Sequence, residues 1–320
     1  MSTQFMRVYD LVIGAAGTGV RIFQTVEHPG LRVQFEIIKT LRSSLNTAVI
    51  KVYNLAPDNE RKIKGEFDEV LLSVGYEGAA LLVFRGQIRW ATTYSEGTDR
   101  ITEIHAADGE RDARKSIVNF TLAAGTTDGQ LLDKLVGSFE STTKGQIVIK
   151  DKKRLRGRVV SGLAYPQAVR IGQENGANAS IQDGRLDIIP ADSTLPTQAI
   201  VIRADTGMKA APEVDDNGVK VRCQLNPRIR CNGRIQLDNH DLKLKVFKER
   251  ERKPGAQPAA RAGGTTSKSP KSKNLARLDP DGRYKCYKVV HKGDTRGSTW
   301  ESTVFAVGLD KSVPAATAVA

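Results

Sequence analysis

Residues 45–63 read LNTAVIKVYNLAPDNERKI, and this stretch guides the interpretation of the rest of the chain. From Thr47 to Leu55 the side chains alternate between two faces, which is typical of a β-strand. One face carries Ala48, Ile50, Val52 and Asn54, and the other carries Val49, Lys51, Tyr53 and Leu55. The segment from Ala56 onward predicts a short helix, because Pro57 suits the first turn and Asp58 stabilises its positive end.

The same alternation recurs on both sides of this strand. Strand-like segments are VYDLVIG and VRIFQTV within Arg7–Val26, joined by a turn at Gly14–Gly19, then Leu31–Ile38, Glu69–Tyr76, Ala80–Trp90 and Arg100–Ala107. Short strands separated by glycine-containing turns favour a closed or strongly curved antiparallel sheet. We therefore predict that residues 1–112 form one β-barrel or sandwich domain.

Composition changes after residue 112, and residues 113–197 predict a small α+β domain. Leucines at helical spacing follow Thr127 and Asp128, either of which suits the N-cap. A strand over Gln146–Lys150 and a helix from Tyr165 to Gly176 come next. Ser180–Pro190 then predicts a hairpin, since Asp183-Gly184 is a strong two-residue turn signal.

Strand-like segments resume near residue 198 and predict a second β domain over residues 198–320. These segments are Ala199–Asp205, Val219–Leu225, Asn232–Leu237, Tyr284–Lys292 and Thr299–Val307. A long loop at about 248–281 interrupts this domain, and it is rich in Lys, Pro, Gly, Ala and Ser. Loops of this length are uncommon in compact domains unless they are functional or disordered.

Composition limits the class of protein. The 320 residues are 39% hydrophobic, which is compatible with one large domain or two to three ordinary ones. No apolar run approaches the ~20 residues of a membrane helix, and the first residues lack the order of a signal peptide, so we expect a soluble, unexported chain without membrane insertion. Cys223, Cys231 and Cys286 have no CxxC spacing and are expected to be reduced, buried residues.

The formal charge of +13 is concentrated in one segment. Residues 248–277 carry nine basic and two acidic side chains, a net of +7, and the other 290 residues carry +6. The basic residues are Lys248, Arg250, Arg252, Lys253, Arg261, Lys268, Lys271, Lys273 and Arg277. A nucleic-acid arm would use them on phosphates, but the segment has no aromatic residue for base stacking, which favours a solvated or partner-bound loop.

The sequence predicts no enzyme, no cofactor and no metal site. His28, His105, His240 and His291 are far apart and lack the spacing of metal ligands. Asp99, Glu103 and Asp108 lie near a strand end, where solvated turn carboxylates are favoured over an acid/base pair. No GxSxG motif is present, and Gly14–Gly19 lacks the order of a phosphate-binding loop and precedes a β pattern.

The order of segments resembles the baseplate hub proteins of contractile-tail phages. The resemblance begins with Leu45–Ile63, Val74–Ile88 (VGYEG and LVFRGQI) and Thr98–Glu110 (TDRITEIHAADGE). It continues through Ile181–Pro190, Ala204–Glu213, Gly218–Asn239 and Tyr284–Ser302. Together these cover about residues 40 to 305, and the long basic insertion before Tyr284 departs from the family pattern.

The resemblance implies a mainly β protein in which two tube-like antiparallel β-barrels flank the α+β domain. Three copies would form a ring with pseudo-sixfold symmetry that joins the tail tube to the central spike and lines the DNA channel. Implied partners are the tail tube or tube-initiator protein, the spike, the baseplate wedge proteins and, as a further candidate, the tape-measure protein. DNA would pass only transiently, and the protein, made in the host cytoplasm, would end in the virion tail baseplate.

Within this interpretation some residues keep two roles open. Tyr53, Phe84, Trp90 and Trp300 are apolar anchors either in barrel cores or at subunit contacts. Asn226–Arg230 and His291–Gly297 either orient loops toward neighbouring subunits or simply form turns. The basic loop either docks on an acidic neighbour or faces the channel.

Two functions of other classes compete with the hub. A cell-wall hydrolase of the tail tip would need a paired carboxylate cleft or a metal triad in the middle domain, and a peptidoglycan zymogram would detect its activity. A basic nucleic-acid-binding protein would shift arbitrary DNA in a salt-dependent way.

Overall fold

The computed structural model describes residues 6–14, 19–42, 44–215, 218–237 and 282–309. The first group of strands is β1 (Arg7–Ile13), β2 (Val20–Gln24), β3 (Val33–Thr40), β4 (Thr47–Tyr53), β5 (Glu69–Tyr76), β6 (Ala79–Glu96) and β7 (Asp99–Ala107). The second is β8 (Ile117–Leu122), β9 (Thr143–Ile147), β10 (Arg158–Leu163), β11 (Ala177–Gln182) and β12 (Arg185–Pro190). The third is β13 (Ile200–Ile202), β14 (Met208–Asp215), β15 (Gly218–Gln224), β16 (Arg234–Leu237), β17 (Arg283–Asp294) and β18 (Trp300–Gly308). The helices are α1 (Pro57–Gly65), α2 (Glu110–Lys115), α3 (Asp128–Val136) and α4 (Ala164–Glu174). We call β1–β7 the first β unit, β8–β12 with α3 and α4 the middle unit, and β13–β18 the second β unit.

Residues 45–63 contain β4 and most of α1, as the sequence predicts. Ala48, Ile50 and Val52 are buried, and the strand ends where Asn54 adopts a left-handed backbone with φ of 55°. Asparagine tolerates this conformation better than most residues. Pro57 opens α1, and Asp58 and Glu60 lie in its first turn, where they complement the helix dipole.

One sheet joins the two β units. Within the described residues it contains 13 strands, ordered β14-β15-β18-β17-β3-β4-β7-β6-β5-β1-β2, with β16 pairing to β17 and β13 to β16. Strand β17 is the bridge, because Arg283–Lys285 pair with β16 whereas Lys288–Asp294 pair with β3. All pairs in this sheet are antiparallel except β13 with β16. The fold is therefore mainly β with antiparallel pairing, as the sequence predicts.

Two apolar clusters pack against this sheet. The first consists of residues from the first β unit, among them Leu11, Ile50, Leu72 and Phe84, together with Leu225 and Trp300 from the second. The other cluster is formed by the second β unit and includes Val221, Ile235 and Val304, with Leu41 contributed by the end of β3. Each unit thus places an apolar residue in the other's core, and the two share packed surface.

The middle unit has its own core of fifteen buried residues, mainly leucine, isoleucine and alanine from α3, α4 and the strands β8, β10, β11 and β12. Strands β11 and β12 form the predicted hairpin, and its turn residues Asp183 and Gly184 both have positive φ. Helix α3 begins with the N-cap at Thr127, in a capping box with Gln130. Strand β9 lies at Thr143–Ile147, a few residues before the predicted position.

Four elements were not predicted from the sequence: α2, β8, β10 and β14. Helix α2 is only six residues long and has no apolar period. Strands β8 and β10 pair only with each other among the described residues, and their outer face mixes Ile117 and Val159 with polar side chains. No described helix is long and apolar enough to cross a membrane.

Candidate functional site

A buried ion pair fastens the middle unit to the large sheet. Lys39 lies on the inward-facing phase of β3, and its Nζ binds the two carboxylate oxygens of Asp183 at 2.6 and 2.8 Å. The side chains are only 3% and 9% exposed. In the sequence, Lys39 continues the alternation of Val33, Phe35 and Ile37 and so falls on the buried face of the strand, which indicates a buried charge. The sequence does not identify the residue that pairs with this charge.

Asp108 completes this junction from the end of β7. Its carboxylate accepts hydrogen bonds from the backbone N–H groups of Asp183 and Gly184. Burial raises the pKa of Asp108 to about 7, and the charge of Asp183 adds to the rise. Asn46 donates to the carbonyl of Ile181 at 2.8 Å, so the turn of the β11–β12 hairpin is held by several polar groups of the first β unit.

A second junction lies at the β17–β18 turn. The Asp294 carboxylate accepts hydrogen bonds from Arg32 (2.8 Å), Gln34 (2.8 Å) and the backbone N–H of Arg296 (2.9 Å). Burial alone would raise the pKa of Asp294, but these bonds outweigh it and hold the pKa well below the ordinary range. Arg7 donates to the Asp294 carbonyl at 2.9 Å. The His291–Gly297 segment therefore fastens the two β units to each other within one chain, and it does more than turn.

The outward face of the sheet is polar across five neighbouring strands. Two rows cross β17, β3, β4, β7 and β6 in register, and we call them the polar sheet face. The first row consists of Lys292, Glu36, Val49, His105 and Trp90. The second row consists of Asp294, Gln34, Lys51, Glu103 and Thr92. Most of these residues line an open cavity of about 520 Å³.

Hydrogen bonds and ion pairs run across the strands of this face. Lys292 pairs with Glu36 at 2.9 Å, and Lys51 with Glu103 at 3.2 Å. Glu103 also contacts His105 Nε2 at 2.6 Å and accepts from Tyr94 at 3.1 Å. Burial alone would raise the pKa of Glu103, but these hydrogen bonds outweigh the effect of burial, and the pKa is lowered overall. Cross-strand pairs of opposite charge stabilise a sheet and fix its register.

Trp90 is the exposed aromatic residue of the polar sheet face. Half of its surface is exposed, and its ring stacks on His105 with centroids 3.6 Å apart. The pairing of β6 with β7 shifts between Ile88 and Trp90, which indicates a bulge at Arg89. An extra residue reverses the alternation of a strand, so Trp90 faces outward while Ala91 packs on the core.

The other three aromatic candidates lie in the core. Phe84 is fully buried and Trp300 is 3% exposed. Tyr53 is 9% exposed and donates its hydroxyl hydrogen bond to Gln34 at 2.9 Å. Trp90 alone of the four is available for contact with another protein.

The acidic residues considered for catalysis do not meet. The interpretation as solvated turn carboxylates is wrong for Asp108, which is 1% exposed and belongs to the buried junction. Glu103 lies on the polar sheet face, and Asp99 accepts a hydrogen bond from Asn54 at a hairpin end. Within the described residues, no three metal-ligating side chains lie close enough together to hold a metal ion. Burial lowers the pKa of His291 to about 3, and its Nδ1 lies 2.8 Å from the Ser302 hydroxyl.

The remaining sequence predictions have separate outcomes. Cys223, Cys231 and Cys286 are free and buried, as expected. All nine residues of the basic loop, from Lys248 to Arg277, lie outside the described residues. The Asn226–Arg230 segment lines a cleft between the two β units.

Comparison with solved structures shows the same fold in tail proteins. A 43 kDa tail protein of prophage MuSo2 from Shewanella oneidensis aligns with a TM-score of 0.57 at 9% identity, over 94% of this chain and 97% of that one. A tail protein from Neisseria meningitidis MC58 aligns with a TM-score of 0.56 at 7% identity, over 93% and 96%. The E. coli c3393 protein, a type VI secretion component, aligns with a TM-score of 0.54 at 12% identity, over 90% and 76%.

The search of curated protein sequences found no match. The family model described as baseplate hub gp41, however, matches residues 16–240. The match spans most of the first β unit, the middle unit and strands β13–β16 of the second β unit, including both ends of the Lys39–Asp183 junction. The chain therefore belongs to the baseplate hub gp41 family.

Proposed function

We propose that the chain is a structural subunit of a tail baseplate hub in which three copies close into a ring with pseudo-sixfold symmetry. Family membership supports the baseplate role. The main support for the proposed ring is that the two β units share a single sheet, in which β17 connects them. Two firmly connected β units in each of three copies supply six comparable positions, which is what a sixfold tube needs from a threefold ring.

The proposed domains are residues 1–112, 113–197 and 198–320, with a tube-like barrel in the first and the last. Three separate apolar clusters support this division. Leu225 and Trp300 pack in the core of the first β unit, so the two barrels would share a wall. The Lys39–Asp183 pair would hold the middle domain in a fixed place on that wall.

The proposed partners follow from this position. The ring would bind the tail tube or tube-initiator protein on one side and the central spike on the other, with wedge proteins and the tape-measure protein as neighbours. The E. coli c3393 protein is described as similar to the T4 tail proteins gp27 and gp5, which supports an association with tail components. The virion tail baseplate is the proposed location, and DNA would cross the channel during ejection.

Trp90 is the proposed apolar contact between copies. It is large and half exposed, and it is held in one orientation by its stack on His105. Buried aromatic anchors of this kind carry much of the energy of protein interfaces. The exposed Phe23 of β2, 42% accessible, provides a matched aromatic control elsewhere in the first β unit.

Mass photometry of the purified chain, alone and with its spike and tube partners, tests the ring. We expect a species of three chain masses, which the Trp90→Glu variant loses and the Phe23→Glu variant keeps. A strictly monomeric species in the presence of all partners would contradict the ring. A trimer that tolerates Trp90→Glu would remove Trp90 from the interface but leave the ring in place.

The role of the basic loop is a further part of the proposal. Its net charge of +7 suits an acidic surface of a neighbouring tail protein. Deleting residues 255–273 and scoring baseplate assembly and infectivity tests this role. Normal particles with normal infectivity would show that the loop is an idle linker.

A further inference from the structure

A cleft of about 710 Å³ lies between the two β units, away from the polar sheet face. One wall is formed by Leu81 and Leu82 of β6, and the opposite wall by residues 195, 197–200, 226–230 and 233–235. Apolar side chains make up much of the lining, and Leu81 is 39% exposed. The volume falls in the range of ordinary ligand sites.

Three arginines in seven residues border this cleft: Arg228, Arg230 and Arg234. Arg228 and Arg230 are exposed, and neither guanidinium has a carboxylate within 4.0 Å among the described residues. Burial raises the pKa of the Asp187 carboxyl, and the charge of nearby Arg230 opposes this rise. Arg230 nevertheless forms no ion pair with Asp187. No acidic residue lines the cleft, so its rim is positively charged.

Arg234, which lines the cleft, carries an unpaired donor. One terminal nitrogen donates to the Thr197 carbonyl at 3.1 Å. Its Nε is buried and has no hydrogen-bond partner. Buried polar groups are normally paired, and an unpaired donor among apolar walls is a place where an acceptor would be stabilised.

Both strands that flank the cleft have an open edge. Residues 79–87 of β6 pair with β5, and the pairing with β7 begins only at Gln87. Strand β13 pairs with β16 and with no other strand in the part of the chain that the structure describes. Open edges present free backbone donors and acceptors, which an extended peptide can satisfy by adding a strand.

We propose that this cleft binds an extended acidic peptide segment of another protein by strand addition. The backbone of the segment would pair with the open edge of β6 or β13, its apolar side chains would cover Leu81 and Leu82, and its carboxylates would pair with Arg228 and Arg230. The proposal does not rest on the trimeric ring, because every wall of the cleft belongs to one chain.

Charge and composition favour this occupant over two others. The basic segment 248–277 of the same chain carries +7 and would be repelled by the arginines. Nucleic acid would use the arginines but leave the leucines and the open strand edges without partners, because a phosphate backbone offers no strand to pair. An acidic peptide satisfies all three features at once.

Fluorescence anisotropy with the full chain tests the proposal. The probe is a labelled peptide of about eight residues that alternates glutamate and valine, and its control replaces each glutamate by glutamine. We expect saturable binding of the acidic probe that weakens with added salt, and at least about tenfold weaker binding of the glutamine probe. Equal binding of both probes would overturn the proposal.

Variants locate the binding site. Arg228→Glu with Arg230→Glu should weaken binding about tenfold or more, whereas Arg156→Glu, at an exposed arginine of the middle unit, should leave it unchanged. Both replaced arginines are exposed, so the thermal melting of the double variant should match that of the wild type. Equal losses in the double variant and in the control would assign the effect to overall charge and overturn the proposal.

The pairing mode has its own test. A probe methylated on alternate backbone nitrogens keeps its charge but cannot complete a strand, and it should bind at least about tenfold more weakly. Single-stranded and duplex DNA of similar length serve as competing probes. DNA binding that depends on Arg228, with no binding of the acidic peptide, would assign the cleft to nucleic acid and overturn the proposal.

Discussion

Removing the cation of the buried junction should release the β11–β12 hairpin from the sheet. In the Lys39→Met variant the carboxylate of Asp183 would remain 9% exposed and without its cation, beside the second carboxylate of Asp108. Breaking a buried ion pair in this way costs about 3–5 kcal/mol. Methionine fills the volume of the lysine stem, so a cavity contributes little to this loss.

Native-state hydrogen exchange measures this cost where it arises. The backbone amides of Asp183 and Gly184 donate to Asp108 and exchange only when the hairpin opens. A loss of about 3–5 kcal/mol corresponds to exchange faster by roughly two to three and a half orders of magnitude. Strand β2 lies at the far end of the sheet order from β14, six strands from β3, and its exchange should not change.

A double variant separates the ion pair from packing. Lys39→Met with Asp183→Asn replaces both charges by neutral groups, and asparagine suits the left-handed backbone at this position, where φ is 54°. The double variant should exchange within about tenfold of the wild type, because replacing both partners is close to neutral. Exchange as fast in the double variant as in Lys39→Met, or less than threefold acceleration in Lys39→Met, would refute an ion pair that holds the junction.

Three further predictions follow from single contacts. The pKa of Asp108 is raised to about 7, so this carboxyl ionises at lower pH in the unfolded state than in the folded state. The contribution of Asp108 to stability is therefore largest below about pH 4 and is lost as the pH rises toward 7. Thermal melting of Asp108→Asn should lack this part of the pH dependence, and an unchanged slope would assign the pH dependence to another group. Gly293→Ala places a Cβ atom against the Phe35 ring, closer than van der Waals contact, and should destabilise by about 1–3 kcal/mol in thermal melting. Gly65→Ala, with no neighbour within 4 Å, should not destabilise. Equal melting of the two variants would contradict the clash. Thr127→Ala removes the N-cap of α3 and should cost about 1 kcal/mol, seen as faster exchange in that helix; unchanged exchange would show that the cap is dispensable.

Local signals explain which parts of the fold could be predicted. The hairpin at Asp183-Gly184 and the N-cap at Thr127 depend on residues within a few positions of each other, and both are found in the structure. Strands of the first β unit follow period-two alternation because one face packs on a core. Helix α2 and strand β10 were missed because each is six residues long and neither shows an apolar period of its own.

Long-range pairing explains most of what could not be predicted. The register of β17 with β3 joins residues about 250 positions apart, and nothing local in either strand specifies the partner. The same limit applies to the Lys39–Asp183 pair, 144 positions apart, although a lysine at the buried phase of β3 is visible in the sequence. Trp90 shows a different limit, because by strict alternation it shares the face of the buried Phe84, and only the bulge at Arg89 turns it outward.

The net charge of +13 divides into features with different origins. The basic loop is visible in the sequence as a run of lysine and arginine, and its charge does not depend on the fold. The cleft bordered by Arg228 and Arg230 is not visible in this way, because these arginines become part of a site only when Leu81 and Leu82 of the first β unit form the opposite wall.

A partner that binds this cleft contacts both β units at once, and its affinity should fall in any variant that separates the two units. Docking of a partner through the basic loop should survive such a variant. Comparing the acidic probe with an acidic protein partner in the Gly293→Ala variant, at a temperature where part of the chain is unfolded, would distinguish the two. The cleft would lose its ligand in proportion to the unfolded fraction, and equal persistence of both interactions would show that the cleft does not need the shared sheet.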